Sequence, residues 1–545
     1  MSSSSNLGLY IFAAASAAWI SLDLLRGGNN ADGSSPTEPL APSSATKKKK
    51  KKEVLPGVPV VGADSELVDY IGGLRAMCGR IDDRSGGGKG VYTTWDGGFN
   101  LVLTEPNFVE KTLCSIVDHN LAGLKPASEA FFGKKVLFVL EGQEWRSLRL
   151  LMKKAFDKGQ IALMQNETSK VARQVAVSLD AFERDGEAFD VLSAVSAFHL
   201  SAVGKASMGF DFGCVEFYEK TRGKGTNAIN RAFELMLTEL PRRAFSPDPA
   251  VRDDYETDNE DNRKYNGAAK AVRAEVEAAV RARLQEEARR GGGAGGRAKD
   301  LLQGMIEAYR EEEGGEHDLT AARLTDEIGD NLVEILFAGY NTATNVVANG
   351  MYFLAKHQDW QRRCQSEIDA VLGRSGLPNE NTVMALPLLR RVVRESLRLV
   401  PPAAVIARRY LGPSKTGRGK DRLALGGTSL PDKTDITIPA FWLHTDPKSW
   451  GADAKEFNPD RFLPERFAKI PRGAYIPFSD GARSCIGRHY AEMESITALA
   501  MLLQRHSYYL APGYDWDTIF TGFGLRPVDK STGKIGVMLV AKRRR

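Results

Sequence analysis

Near the C-terminus ten residues, Phe478-Ser479-Asp480-Gly481-Ala482-Arg483-Ser484-Cys485-Ile486-Gly487, run into a segment of helical apolar period that ends at Gln504. No other stretch restricts the chain as tightly. A glycine-bearing loop that delivers one cysteine to the start of a helix sets the sulfur against unpaired backbone N–H groups and the positive helix end, which favour thiolate over thiol. A thiolate held this way is a good iron ligand. Gly481 and Gly487 allow a flat group to approach the backbone closely. Phe478 shields the sulfur, and Arg483 is placed to meet a carboxylate. A lone cysteine in a glycine loop reads as a buried structural residue; spaced positions that fit together argue for a ligand.

The remaining cysteines, Cys78, Cys114, Cys214 and Cys364, are widely scattered, and none has CxxC spacing. Neither a disulfide framework nor a structural zinc site follows, and the body reads as facing a reducing compartment. The chain has 545 residues and a net charge of +5. The basic surplus sits in two tails, Lys47–Lys52 and Lys542–Arg545, around a slightly acidic body. That distribution excludes a uniformly basic nucleic-acid-binding body. Helical periodicity dominates, in Trp145–Phe156, Ala268–Arg289, Leu324–His357, Leu388–Val400 and Ile486–Gln504. Strand signals are short, as in Asn100–Leu103 and Asp435–Ile438. Residues 246–266 and 289–299 read as surface loops. No Pro-rich linker divides the body, so one large, mainly α domain with a minor β component is expected.

The decapeptide resembles the haem-binding signature of the cytochrome P-450 family, Phe-x-x-Gly-x-Arg-x-Cys-x-Gly, and its companions follow in family order. Glu395-Ser396-Leu397-Arg398 matches Glu-x-x-Arg. That spacing alone is worth little, because Glu286 with Arg289 and Glu307 with Arg310 repeat it; its position before Pro401-Pro402 and ahead of Cys485 singles it out. Phe457-Asn458-Pro459-Asp460-Arg461-Phe462 matches the third element. Arg461 would complete a buried charge network with Glu395 and Arg398, costly unless fully paired, that fixes the fold behind the haem. Arg466, in the second Pro-Glu-Arg-Phe, is the lesser candidate. Trp145 and Arg149 match Trp-x-x-x-Arg, an indole N–H and a guanidinium on one helix face, suited to a haem propionate. Ala338-Gly339-Tyr340-Asn341-Thr342 matches the oxygen-binding part of the central helix: Gly339 leaves room beside the iron, and Thr342 bonds back to a carbonyl and opens a groove. The resemblance spans residues 55–541.

It implies the P-450 fold, a single haem domain over 55–545, and haem b ligated by Cys485. Trp145, Arg149, Arg408, Phe478, Gly481, Arg483 and Gly487 would bind the cofactor; Gly339, Asn341 and Thr342 would serve oxygen activation. The implied activity is monooxygenation of a lipophilic substrate. Phe131, Phe132, Phe138, Phe337, Val405, Ile406 and Phe523 would line the pocket. Asn341 departs from the family, which usually has Asp or Glu there; an amide holds water but cannot relay a proton by ionising. Water or Glu334, two turns earlier, would have to substitute, with altered proton delivery and electron leakage to peroxide. Two alternatives stay open: a hydroperoxide-rearranging enzyme that needs no reductase, and a non-catalytic haem-thiolate sensor or carrier.

Gly86-Gly87-Gly88-Lys89-Gly90 lacks P-loop spacing, so electrons are expected from an NADPH-dependent flavoprotein reductase. Arg146, Arg149, Lys153 and Lys154 recur on one helix as a docking patch, with Arg149 turned toward haem. His489, four residues after Cys485, reads as a helix-surface histidine. Leu7–Leu25 spans about 28 Å as a helix, just enough for a hydrocarbon core. A signal peptide would carry a basic residue ahead of the apolar run, and none is present. Residues 1–26 are therefore expected to be a retained membrane anchor, with 27–54 a flexible Lys-rich linker marking the cytoplasmic side of the endoplasmic reticulum; a plastid membrane is the other placement. No nucleic-acid partner is expected.

Overall fold

The computed structural model describes residues 60–61, 91–95, 99–115, 117–119, 124–244, 249–252, 254–289, 300–312, 321–412, 423–425, 428–521 and 524–544. The expected anchor, the lysine linker, Cys78, the Gly86–Gly90 stretch and Phe523 lie outside them. No helix among the described residues is long and apolar enough to cross a membrane.

The helices that build the site are α1 (Pro106–Leu113), α2 (Leu124–Phe132), α3 (Gly142–Ala155), α4 (Lys158–Ser178), α5 (Val191–Met208), α6 (Ala228–Ala244), α7 (Glu260–Arg289), α8 (Leu301–Glu312), α9 (Ala321–Lys356), α10 (Pro387–Leu399) and α11 (Arg488–Arg505). The strands are β1 (Val60–Val61), β2 (Val91–Trp95), β3 (Phe99–Leu103), β4 (Val117–His119), β5 (Phe189–Asp190), β6 (Ile406–Tyr410), β7 (Asp435–Ile438), β8 (His506–Leu510), β9 (Trp516–Phe520), β10 (Leu525–Asp529) and β11 (Met538–Arg543). One mixed sheet has the order β1-β2-β3-β7-β6-β4, and a smaller one the order β8-β11-β5. The structure is mainly α with minor β, as the periodicity implied.

α9 is the axle. It packs against α5, α7, α10 and α11, while α4 packs against α5 and α11. α5 is buried on nearly every side, and an all-round apolar helix has no amphipathic period to read; for that reason it is not conspicuous in the sequence. Its start is set by Asp190, whose carboxylate accepts from the Leu192 and Ser193 N–H groups, and its end by Gly209 in the left-handed region. The loop expected over 246–266 is shorter than the sequence suggested, because Pro249–Arg252 is helical and α7 begins at Glu260. The basic C-terminus, which has no sequence rationale, is held in place. β11 pairs with β8, Arg544 Nη2 meets Asp369 Oδ2 at 2.6 Å, and Arg543 Nη1 meets Asp180 Oδ2 at 3.3 Å.

α10 carries the buried charge network. Glu395 and Arg398 are both fully buried and paired twice, at 2.7 and 2.8 Å. The other Arg398 N–H groups donate to the carbonyls of His444, Ala454 and Glu456. Glu395 also accepts from the Asn458 N–H at 2.8 Å and stands 3.6 Å from Arg461 Nε. Arg461 in turn donates to the Trp450 carbonyl at 2.9 Å and pairs with Asp453 at 2.6 Å. The network thus pins the irregular segment 444–461, which has little regular structure of its own. The two decoys do not form such a pair: Glu286 and Arg289 are exposed, and Arg310 bonds Glu287 instead of Glu307. Arg466 is exposed. Glu395→Gln should therefore cost about 3–5 kcal/mol, because it leaves buried guanidinium charge unanswered, whereas Glu286→Gln should stay within about 0.5 kcal/mol. Denaturant unfolding of the two variants distinguishes a network from a spacing coincidence.

Candidate functional site

Gly487 is the N-cap of α11, and Cys485 lies just ahead of it. The loop folds on itself: the Cys485 N–H donates to the Phe478 carbonyl at 2.9 Å, and Ser479 adopts φ +59°. Burial pushes the Cys485 thiol up; the Gly487 N–H, Arg149, Arg488 and the Arg488 N–H all act in the opposite direction. The residue is nevertheless exposed. A side chain that is both shielded from bulk water and open at its surface faces an internal cavity. The donors expected from the sequence are present, but desolvation, which the sequence does not display, outweighs them.

The two loop glycines have different reasons. Gly481 has φ +69°, and a Cβ there would stand 1.9 Å from the Leu113 carbonyl oxygen, so α1 requires that glycine, not a bound group. Gly487 has open space where its Cβ would be, as the approach of a flat ligand demands. Phe478 is half-buried, under the Arg488 guanidinium at 5.7 Å.

Cations converge beside the loop. Arg149 donates to the Ser484 carbonyl at 2.8 Å. Arg483 pairs with Asp118, donates to the Leu140 carbonyl at 3.1 Å and stacks 3.8 Å over the Trp145 ring. Arg408 donates to Ser479 Oγ at 2.8 Å and to the Ala407 carbonyl at 2.9 Å. Trp145 also serves as a floor for Arg483. His119, on β4 directly opposite Arg408 of β6, joins the group; burial, then Arg408, push it down to about 3, so it is neutral. Burial pushes Arg408 down to about 10 and Arg483 down to about 9, although guanidinium stays charged. Among these three arginines stands one carboxylate, Asp118, while Arg408 Nε and Arg483 Nη1 are buried without a partner among the described residues. Two charges are unmatched. A haem, with its two carboxylates, answers both. Ser479 is an unspecified position of the cysteine loop; His119 and Asp118 carry no motif, and the β4–β6 pairing brings them here.

On α9, between Asn331 and Ala355, only Ala338 and Thr342 are exposed. Exposure at i and i+4 on a helix packed on all sides marks a cavity wall. Thr342 Oγ1 donates to the Ala338 carbonyl at 2.7 Å, the back-bond expected from the sequence. Gly339 is a correction: a Cβ there would meet Val203 Cγ2 at 3.3 Å, so it admits α5 and is not the source of room in the cavity. Asn341 is buried, and its Oδ1 accepts from Asn345 Nδ2 at 3.1 Å, facing the bundle. Glu334 does not reach toward Thr342. Its carboxylate accepts from the Leu137 and Phe138 N–H groups, both at 2.9 Å, and anchors that segment on α9.

The expected pocket residues divide. Phe132 and Phe337 meet edge to face at 5.1 Å, and Phe233, 6.3 Å from Phe337, is wholly buried behind them. Phe131 is wholly buried against Tyr265 and belongs to the core. Ile406 pairs with Ile438 inside the sheet and packs in a separate core, so it is not a pocket residue; Val405 beside it is half-buried. Phe138 is half-buried near His119. Gly524 sits so close to the Pro402 carbonyl that a Cβ would stand 1.5 Å from it, which brings the β9–β10 turn to the 402–405 segment. Arg146, Lys153 and Lys154 are exposed, but Lys154 pairs with Glu311 at 3.1 Å. His489 is exposed on α11.

Residues 90–531 match the family model described as Cytochrome P450. The chain therefore belongs to the cytochrome P-450 family, whose members hold a haem iron by a cysteine. It is similar to Cytochrome P450 CYP72A219 of Panax ginseng, 34% identical over 257 residues and 46% of each chain. Cytochrome P450 734A2 of Oryza sativa subsp. japonica is 29% identical over 69% of this chain and 66% of its own. The bifunctional cytochrome P450/NADPH–P450 reductase ascE of Acremonium egyptiacum is 30% identical over 85% of this chain and 41% of its own. The matches span about half the length, or less, of the first of the curated relatives. A crystal structure of a Cytochrome P450 (CYP102L1) shares the fold, with a TM-score of 0.69, 21% identity and 86% of this chain covered, 94% of that one.

Desolvation raises the Glu334 carboxyl from 4.5 to about 7 against its two N–H donors. The folded state therefore holds this proton more tightly than the unfolded chain. Its contribution to stability is complete below pH 4.5 and is lost as pH rises through about 7. Glu334→Gln removes the titration, so thermal unfolding measured across that window should show a shallower decline than the parent; an unchanged slope contradicts the assignment.

Proposed function

We propose that the chain is a haem-thiolate monooxygenase that inserts one atom of dioxygen into a lipophilic substrate, with Cys485 as the iron ligand. One observation carries this reading: a shielded yet open cysteine sulfur beside two buried guanidinium N–H groups that have no partner among the described residues. When bound, haem b supplies the redox chemistry of dioxygen, and a cysteine ligand favours O–O cleavage. The chain's own residues do the rest. The Gly487 and Arg488 N–H groups hold the charge on the Cys485 sulfur. Arg149, Arg408 and Arg483 take the haem carboxylates. Thr342 offers its hydroxyl to the cavity, and its bond to the Ala338 carbonyl fixes the direction of that hydroxyl. Phe132 and Phe337 keep water from the substrate.

Electrons come from an NADPH-dependent flavoprotein reductase, a reading supported by relatives that carry such a reductase in the same chain. Residues 1–26 anchor the protein, residues 27–54 form a basic tether against anionic lipid, and residues 55–545 form the haem domain on the cytoplasmic side of the endoplasmic reticulum or a plastid membrane. Retention of Thr342 favours monooxygenation over hydroperoxide rearrangement.

The test is spectroscopic and then kinetic. The reduced, carbon monoxide-bound protein should show thiolate ligation that Cys485→Ser abolishes, and added reductase should consume NADPH in proportion to a lipophilic substrate. Thiolate ligation without substrate-dependent NADPH use would instead support a sensor or carrier. Lys153, like Arg146, is an exposed cation of the docking patch without an ion pair among the described residues, so Lys153→Glu should slow reduction by the reductase, more strongly at low salt. Equal rates at all ionic strengths remove the patch from the interface.

A further inference from the structure

α9 carries a row of three asparagines, Asn341, Asn345 and Asn349, one per turn on one face, with Asn345 1% exposed and Asn349 wholly buried. Their amides climb the helix. Asn345 Nδ2 donates to the Asn341 carbonyl at 2.8 Å and to Asn341 Oδ1 at 3.1 Å, and Asn349 Nδ2 donates to the Asn345 carbonyl at 2.8 Å. The donors are thereby used, while Asn345 Oδ1 and Asn349 Oδ1 are buried with no partner among the described residues. A buried amide oxygen left unmet is costly, and ordered water is the usual partner of such oxygens.

The row begins where the cavity ends. Thr342, the residue after Asn341, opens onto the cavity, and its hydroxyl is bonded to the Ala338 carbonyl. Thr344 Oγ1 bonds back to the Tyr340 carbonyl at 2.7 Å. Side-chain donors therefore crowd the carbonyls of Ala338, Tyr340, Asn341 and Asn345, and such back-bonding loosens and bends a helix. Thr342 and Asn345, three residues apart on this helix, are neighbours on its surface, so water held at Asn345 Oδ1 stands beside the Thr342 hydroxyl.

We infer that Asn345 and Asn349 are positioning residues that hold a buried file of water, and that this file delivers protons to Thr342 in place of an ionisable residue at position 341. This rests on the monooxygenase reading above. An amide cannot gain or lose a proton at neutral pH, so protons move by exchange between waters, one entering the file as another passes to the Thr342 hydroxyl and onward to reduced dioxygen. The electrons come from the flavoprotein reductase; the file moves protons only.

Two measurements bear on it. A high-resolution crystal structure of the haem-loaded protein should show water within hydrogen-bond reach of Asn345 Oδ1 and Asn349 Oδ1. Dry oxygens overturn the inference whether or not the protein turns over. In the second, Asn345→Leu and Asn349→Leu are compared with Asn345→Asp and Asn349→Asp, each required to keep the thiolate spectrum of its reduced carbon monoxide complex. The leucine variants should lose at least about tenfold in coupled turnover, with more peroxide per NADPH, a larger solvent deuterium isotope effect on kcat and an unchanged KM. The aspartate variants, which keep an acceptor oxygen, should retain coupling. Unchanged peroxide yield and isotope effect in both leucine variants overturn it. Absence of substrate-dependent NADPH use in the parent defeats the monooxygenase reading and the proton path with it, whereas dry oxygens in a parent that turns over defeat the proton path alone.

Discussion

A charge taken out of water has to be answered by an opposite charge or by directed dipoles, and this fold is arranged around that constraint. Behind the site the buried charges of Glu395 and Arg398 answer each other. Glu395 and Arg398 satisfy each other twice, and the arginine's spare donors are taken up by three carbonyls of the segment that follows. Because these carbonyls belong to irregular backbone, the ion pair fixes a shape that no helix or strand would impose. That shape sets where the chain re-enters the Cys485 loop.

In front of the site the answer is deliberately incomplete. Of Arg149, Arg408 and Arg483, only Arg483 meets a carboxylate, that of Asp118, and two guanidinium N–H groups are unmet among the described residues. The same imbalance acts on the sulfur, which burial drives toward the neutral thiol while backbone N–H groups favour the anion. Excess positive charge and a frustrated thiol side by side describe a receptor for an anionic metal complex. Polar groups left unmet in the α9 bundle follow the same logic at lower stakes, with water as the partner in place of charge.

Much of this was legible in the chain. The spacing of Cys485, Glu395, Arg398, Arg461, Trp145, Arg149 and Thr342 located the elements that surround the site, because each sits on a helix or tight loop whose period is local. The readings that failed share a cause. Gly339, expected to leave room for oxygen, and Gly481, expected to admit the cofactor, each serve a neighbouring element, α5 or α1, that is far away in sequence. Ile406 and Phe131 are apolar where a pocket was expected, and apolar residues fill cores as readily as pockets. His119 and Asp118 carry no local pattern at all; strand pairing brings them beside Arg408.

By itself, then, the sequence determined the helical class, the cysteine loop and the order of the charged motifs, because periodicity and i, i+3 or i, i+4 spacing are properties of neighbouring residues. Only the tertiary structure decided the balance of charge around the sulfur, the inward turn of Asn341 and the attachment of the basic C-terminus, because desolvation and ion pairing depend on groups hundreds of residues apart meeting in one low-dielectric place.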